Sequence, residues 1–135
     1  MTKYAAYGTT FGPTGGTVVA QVRSINGPGL SLDTEDVTTH DSTSAWEQVV
    51  ATILRSGTMT LDLVYDPANA THKNAGVGLI AIMVGRATDG FTLTFPDSTA
   101  WVFDAYVTGF EPSAPHDGAL TATVTLKLTG APTIA

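Results

Sequence analysis

The chain has 135 residues, of which 43% are apolar and 13% charged; this fits one domain with a sizeable core and excludes a disordered chain. The charged share is about half the roughly 25% of an average soluble domain, so the surface is either sparingly soluble or covered by partners. A net charge of −6 with six scattered Lys and Arg excludes a domain that grips nucleic-acid phosphates, and the lack of cysteine excludes disulfides, thiolate metal sites and a cysteine nucleophile.

Residues 1–16 read as an N-terminal arm without the apolar core of a signal peptide. The longest apolar run, 76–85, is about half of the ~20 residues a spanning helix needs, so we expect no membrane segment and synthesis in the cytoplasm. Thr17 to Ile25 is predicted as a strand with Val18, Ala20 and Val22 on one face. Asn26-Gly27-Pro28-Gly29 is a turn. Leu30 to Thr38 is a second strand, carrying Leu30 and Leu32 and then acids. Residues 40–56 form a long connection. There Trp46, Val49, Val50, Ile53 and Leu54 suit a short amphipathic helix, or an ordered loop whose apolar residues meet a neighbour.

Met59, Leu61, Leu63 and Tyr65 alternate with Thr58, Thr60 and Asp62, the pattern of a strand with one buried face. Asp66-Pro67 and Asn69 to Thr71 offer helix starts. Ala75, Leu79, Ile82, Met83 and Arg86 then follow at helical spacing, which predicts a helix over 69–86. Gly76 and Gly78 each weaken it by about 1 kcal/mol, and Val77, Ile80, Ile82 and Val84 also suit a buried strand. Phe91, Leu93 and Phe95 alternate with threonines. Pro96-Asp97-Ser98 turns that strand into the next, with Trp101, Phe103, Ala105 and Val107 on its inner face. Pro112 to Gly118 is a longer connection. The last strand alternates Leu120, Ala122, Val124, Leu126 and Leu128 with Thr121, Thr123, Thr125, Lys127 and Thr129. The fold class is mainly β: one domain over 1–135, a small β-sandwich or barrel-like body with one flanking α-helix and long inter-strand loops.

No constellation converges on catalysis. His40-Asp41-Ser42 and His116-Asp117 hold triad residue types, but there is no nucleophile elbow, and both read as polar loops. His40, His72 and His116 lack metal-ligand spacing. Asp33, Glu35 and Asp36 lack the calcium-loop pattern. Gly76-x-Gly78-x-x-Ala81 is not in a βαβ unit, and Asn69-Ala70-Thr71 is a glycosylation sequon without a secretory signal. We therefore expect no enzyme, no metal and no cofactor. The marked feature is charge asymmetry: Asp33, Glu35, Asp36 and Asp41 lie in a stretch with no base between Arg23 and Arg55. That strip is either a solvated face or a surface that repels a polyanion.

One resemblance ties these segments together. Val19-Ala20-Gln21-Val22-Arg23-Ser24-Ile25-Asn26-Gly27-Pro28-Gly29-Leu30-Ser31 leads into Asp36-Val37-Thr38-Thr39-His40-Asp41-Ser42. Leu61-Asp62-Leu63-Val64-Tyr65-Asp66-Pro67, Thr94-Phe95-Pro96-Asp97, Gly109-Phe110-Glu111-Pro112-Ser113-Ala114-Pro115 and the threonine-alternating strand 120–130 follow. This ordered set resembles the tail tube proteins (major tail proteins) of long-tailed, siphovirus-like bacteriophages. The resemblance implies a subunit flanked by a helix that assembles in six-membered rings, stacked into a hollow tube. One sheet per subunit joins its neighbours round the channel, and loops and arms join ring to ring. It further implies a virion protein, made and assembled in the host cytoplasm. Its partners would be its own copies and other tail proteins (tape measure, tail terminator, tail tip), with double-stranded DNA only as passing cargo and no membrane.

On that basis His40, Asp41, Ser42, Thr43, Ser44, Trp46, Val49 and Val50 are the expected ring-to-ring or subunit contacts, with Trp46 as apolar anchor; the bland alternative is that Trp46 packs on its own domain. Asp33, Glu35, Asp36 and Asp62 are the candidates for the channel face, although strand alternation puts Asp36 opposite Asp33 and Glu35. The competing function is a β-sandwich binding or adhesion module of a phage or cell surface, for which Trp46, Tyr106 and Phe110 are the available aromatics.

Overall fold

The computed structural model describes residues 3–76 and 78–134. In chain order the strands are β1 (Thr10–Pro13), β2 (Val22–Asn26), β3 (Ser31–Asp36), β4 (Val49–Arg55) and β5 (Thr58–Val64). Helix α1 (Leu79–Val84) precedes β6 (Asp89–Thr94), β7 (Ala100–Ser113) and β8 (Thr121–Thr133). Six strands make one antiparallel sheet in the order β1-β6-β7-β8-β5-β2, curled into a half-barrel, and β3 and β4 form a separate hairpin. The mainly-β, barrel-like class with one flanking helix holds.

The period-two segments set this arrangement. On β5, Met59, Leu61 and Leu63 are buried while Thr58 and Asp62 are exposed. On β8, Ala122, Val124, Leu126 and Leu128 are buried between exposed Thr123, Lys127 and Thr129. The register places Leu61 beside Val124 and Met59 beside Leu126, so the apolar rows of the two strands coincide. Phe11, Phe91, Leu93, Phe103, Ala105 and Val107 extend the same face across β1, β6 and β7, and Leu79 of α1 closes over it. The Phe11 and Phe91 rings stack at 5.2 Å between centroids.

Four expectations need correction. The helix is six residues long rather than 69–86. Gly78 is its N-cap and Gly85 its C-cap, and a Cβ on Gly78 would overlap the Lys73 carbonyl. Ahead of it, the Asp66 and Asn69 carboxylate and amide oxygens accept the Ala68 and Thr71 amides, turns that compete with helix. Val77, named in the buried-strand alternative for this segment, lies outside the described residues.

The first strand begins later than expected. Gln21 has φ +60, which interrupts the alternation, and the pairing starts at Val22. Val19, not Val18, is buried, its amide bonded to the Phe11 carbonyl at 2.8 Å. The arm is not wholly free either, since Thr10 to Pro13 pairs with β6. Finally, 40–56 is only partly a loop. Val49, Val50, Ile53 and Leu54, expected in an amphipathic helix, lie instead in β4, and a 3-10 turn over Thr43–Ala45 precedes Trp46.

His72, weighed earlier as a metal ligand, is a buried tether. The Asp66 amide donates to its Nδ1 at 3.2 Å, and its Nε2 bonds the Ala20 carbonyl at 2.8 Å. It thereby fixes the lead-in to β2 against the turn before α1. His72→Ala leaves both part-buried backbone groups without this partner and empties a buried site. We expect a loss of about 2–3 kcal/mol, read as a lower urea midpoint with an unchanged slope.

Candidate assembly surfaces

The β3–β4 hairpin presents an exposed apolar surface. Leu32, Val49, Val50, Ile53 and Leu54 are all exposed, and so is Val37 beyond β3. Two-stranded hairpins are marginal alone, and this one is braced from within. Asp33 accepts the Arg55 Nε–H at 2.7 Å. The Thr52 hydroxyl donates to the Asp33 carbonyl at 3.1 Å, at a bulge where Thr52 and Ile53 stand opposite Asp33.

Its tip is ordered by Ser42. That hydroxyl accepts the Thr39 amide at 3.0 Å and donates to Gln48 Oε1 at 3.1 Å. Thr38 and Gln48 close the tip below it. Asp36 accepts the Thr38 amide at 2.8 Å, and hydrogen bonding from Thr38, side chain first and backbone second, holds its carboxyl below the usual aspartate range. Trp46 stands 75% exposed at this tip, so it does not pack on its own domain.

The second surface is the outer face of the large sheet. Thr58, Thr123 and Thr129 are exposed there and Thr60 and Thr125 half-buried, with Asp62, Asp104, Tyr106, Glu111 and Lys127 among them. Asp62 accepts from Ser24 at 3.1 Å and from Thr123 at 3.2 Å. Glu111 stands on the other side of Thr123 in the β7–β8 register.

The third surface is a pair of open strand edges. Among the described residues β2 pairs with β5 only. β6 leaves β7 after Ala105, so residues 106–113 of β7 pair with β8 alone. A cleft of about 570 Å³ follows β2, walled by β2 residues, by arm residues 4–9 and by the end of β6.

The structure thus gathers His40, Asp41, Ser42, Thr43, Ser44, Trp46, Val49 and Val50 on one hairpin, where Ser42 is an internal brace instead of an exposed contact. It separates the four acids: Asp33, Glu35 and Asp36 lie on β3 and Asp62 on β5. The open edges and the row through Glu111 were missed. The signal for them is topological and lies in which strands stop pairing, something a residue pattern does not record.

Among the described residues no group of His, Asp and Glu is placed to hold a metal ion, and no helix is long and apolar enough to cross a membrane.

The β6–β7 turn carries a local test. Asp97 Oδ1 accepts the Thr99 hydroxyl at 2.7 Å and amide at 3.1 Å, and these bonds, the hydroxyl first, lower its pKa from 3.8. A carboxylate whose folded pKa is depressed stabilises the fold above the unfolded value, and the contribution is lost as pH falls through the lower folded value. Carboxyl NMR should give Asp97 a midpoint below that of an unstructured peptide, and Thr99→Ala should return it toward that value.

A family model of the lambda phage tail tube protein matches residues 2–135. The chain belongs to the lambda phage tail tube protein family. It is a structural protein of the virion tail. Solved structures share the fold of this tail tube protein at low identity. The virion of a native gene transfer agent particle contains a chain with TM-score 0.81 and 14% identity, covering 98% of this chain and 99% of that one. The tail of an empty gene transfer agent particle, refined with C6 symmetry, gives TM-score 0.71 at 17% identity over 94% and 93%. The SPP1 tail tube gives 0.61 at 12% identity over 90% of this chain and 72% of that one. No curated protein sequence matches.

Proposed function

We propose that six copies of this tail tube protein close into a ring through the open edges of β2 and β7, and that rings stack into the tube through which DNA leaves the particle. The single observation that carries this reading is the pair of open edges. Strands β2, β5, β8 and the 106–113 half of β7 form a four-stranded unit with a free edge at each side. Because all its pairs are antiparallel, β2 and β7 run in opposite directions. Rotating a copy about a ring axis therefore brings β2 antiparallel to β7 of the next subunit, and the same pairing repeats at every joint. Such a heterologous contact closes when its rotation closes, and closure removes edges that otherwise template aggregation. The cleft along β2 gives the incoming strand room.

In this ring the outer face of the large sheet lines the bore. Its hydroxyls and its few charges of mixed sign give phosphates little to grip, since tight DNA binding needs clustered bases. Asp62 then lies on the channel wall, while Asp33, Glu35 and Asp36 belong to the hairpin and meet the neighbouring ring. The hairpin, with Trp46 at its tip, buries its apolar surface against that ring. The subunit is not an enzyme, and its further partners are the proteins that start, measure and end the tail. Electron microscopy of concentrated protein should resolve six-fold rings or tubes of bore wide enough for duplex DNA. Tubes in which β2 and β7 face solvent would overturn the reading.

A further inference from the structure

Arg23 and Glu111 sit on the two open edges, and among the described residues neither makes an ion pair within the subunit, although Asp62 lines the same hollow as Arg23. Among the described residues the one ion pair is Arg55 with Asp33. Both Arg23 and Glu111 are exposed. Arg23 occupies the bulge between Val22 and Ser24; a bulge re-aims a side chain out of the strict alternation. It lines a polar hollow of about 340 Å³ with Ser24, Asp62, Thr121 and Thr123. Glu111 pairs with Thr123, and Thr123 pairs with Asp62, so Glu111 is on the same outer face.

We propose that Arg23 of one subunit binds Glu111 of the next, a charge latch that fixes the register of the ring joint. This rests on the ring reading above. Antiparallel pairing of β2 with the free half of β7 must match faces, inward with inward. Ile25 and Phe110 are the half-buried core-facing members of the two edges, and setting them opposite each other brings Ser24 and Arg23 to Glu111. A slip by one residue would put each side chain on the wrong face. A slip by two would keep the faces but separate the charges. The latch therefore distinguishes registers that hydrophobic matching alone does not, which is the role charge pairs serve best at an interface. It also neutralises an exposed arginine that would otherwise be free to hold DNA phosphates in the bore.

The test uses charge reversal and cross-linking in the full chain. Arg23→Glu or Glu111→Arg alone should raise the concentration needed for ring or tube formation about tenfold or more, with the subunit's melting temperature unchanged. The double reversal should restore assembly, and high salt should shrink the difference. Because the chain holds no cysteine, the double variant Arg23→Cys/Glu111→Cys reports the contact directly. Oxidation should give a ladder ending at the closed hexamer, while each single variant gives none. Rings that form normally but do not cross-link, or single reversals that assemble like the wild type, overturn the latch and leave the ring reading standing. A wild type that forms no ring overturns both.

Discussion

Trp46→Ala is expected to leave the free subunit as stable as before and to raise the concentration needed for tube growth about 30-fold. The two halves of this expectation have separate causes. The indole is 75% exposed in the subunit and among the described residues takes part in no aromatic pair, so removing it costs the monomer little, within about 0.5 kcal/mol. At an interface, a large aromatic that becomes fully desolvated is the type of side chain whose truncation costs about 2 kcal/mol or more, and about 1.4 kcal/mol is tenfold in affinity. The tip that presents it is already ordered, through Ser42, Gln48 and Thr38. Little conformational entropy is therefore spent on docking. Thermal melts of the monomer and sedimentation of assembled material against concentration would check both halves. Normal assembly by the variant would remove Trp46 from the ring-to-ring contact. A lowered monomer melting temperature would place the side chain within the subunit fold instead.

What was legible in the sequence followed from one-sided burial. β5, β6, β7 and β8 each bury one face of the sheet, and alternation of Leu, Phe or Val with Thr records that directly. β4 was not legible for the opposite reason. Val49 to Leu54 is exposed in the subunit and apolar on both faces, so no period of two survives, and a run of this kind reads equally well as a helix or a sticky loop. β1 hid in Thr10-Phe11-Gly12-Pro13, where glycine and proline signal a break. Gly12 is needed because a Cβ there would come within 2.7 Å of the Val18 Cα. The helix was overextended because its residues keep helical spacing well past the point where side-chain-capped turns take over the backbone. As for the assembly surfaces, residue chemistry pointed to the Trp46 loop, but an open edge belongs to the pairing pattern of strands far apart in the chain. Nothing in the local sequence of Glu111 records that β7 outruns β6, so no role was expected of it.

Phe91→Ala should be the most damaging single truncation of the core. Phe91 is fully buried. It stacks on Phe11 with an interplanar angle of 12°, and Phe11 in turn lies 6.2 Å from Phe103. β1 is four residues long and sits at the sheet edge with β6 as its one strand neighbour, so the Phe11 ring is the main apolar anchor that holds it. Removing the Phe91 ring opens a cavity between β1, β6 and β7, with an expected cost of about 3–5 kcal/mol. For a domain of this size that is a lowering of the melting temperature by roughly 6–20 °C, out of a total stability of about 5–15 kcal/mol. Phe91→Leu, which keeps much of the volume, should cost much less. The loss should also be directional: proteolysis near residues 8–16 should rise first, because β1 loses its partner ring while β5 and β8 keep their own matched rows of Leu61, Leu63, Val124 and Leu126. Limited proteolysis of the two variants, read against their melting curves, separates that order from a uniform loosening. Equal cutting in β8 and β1 would show that the aromatic stack stabilises the half-barrel as a whole.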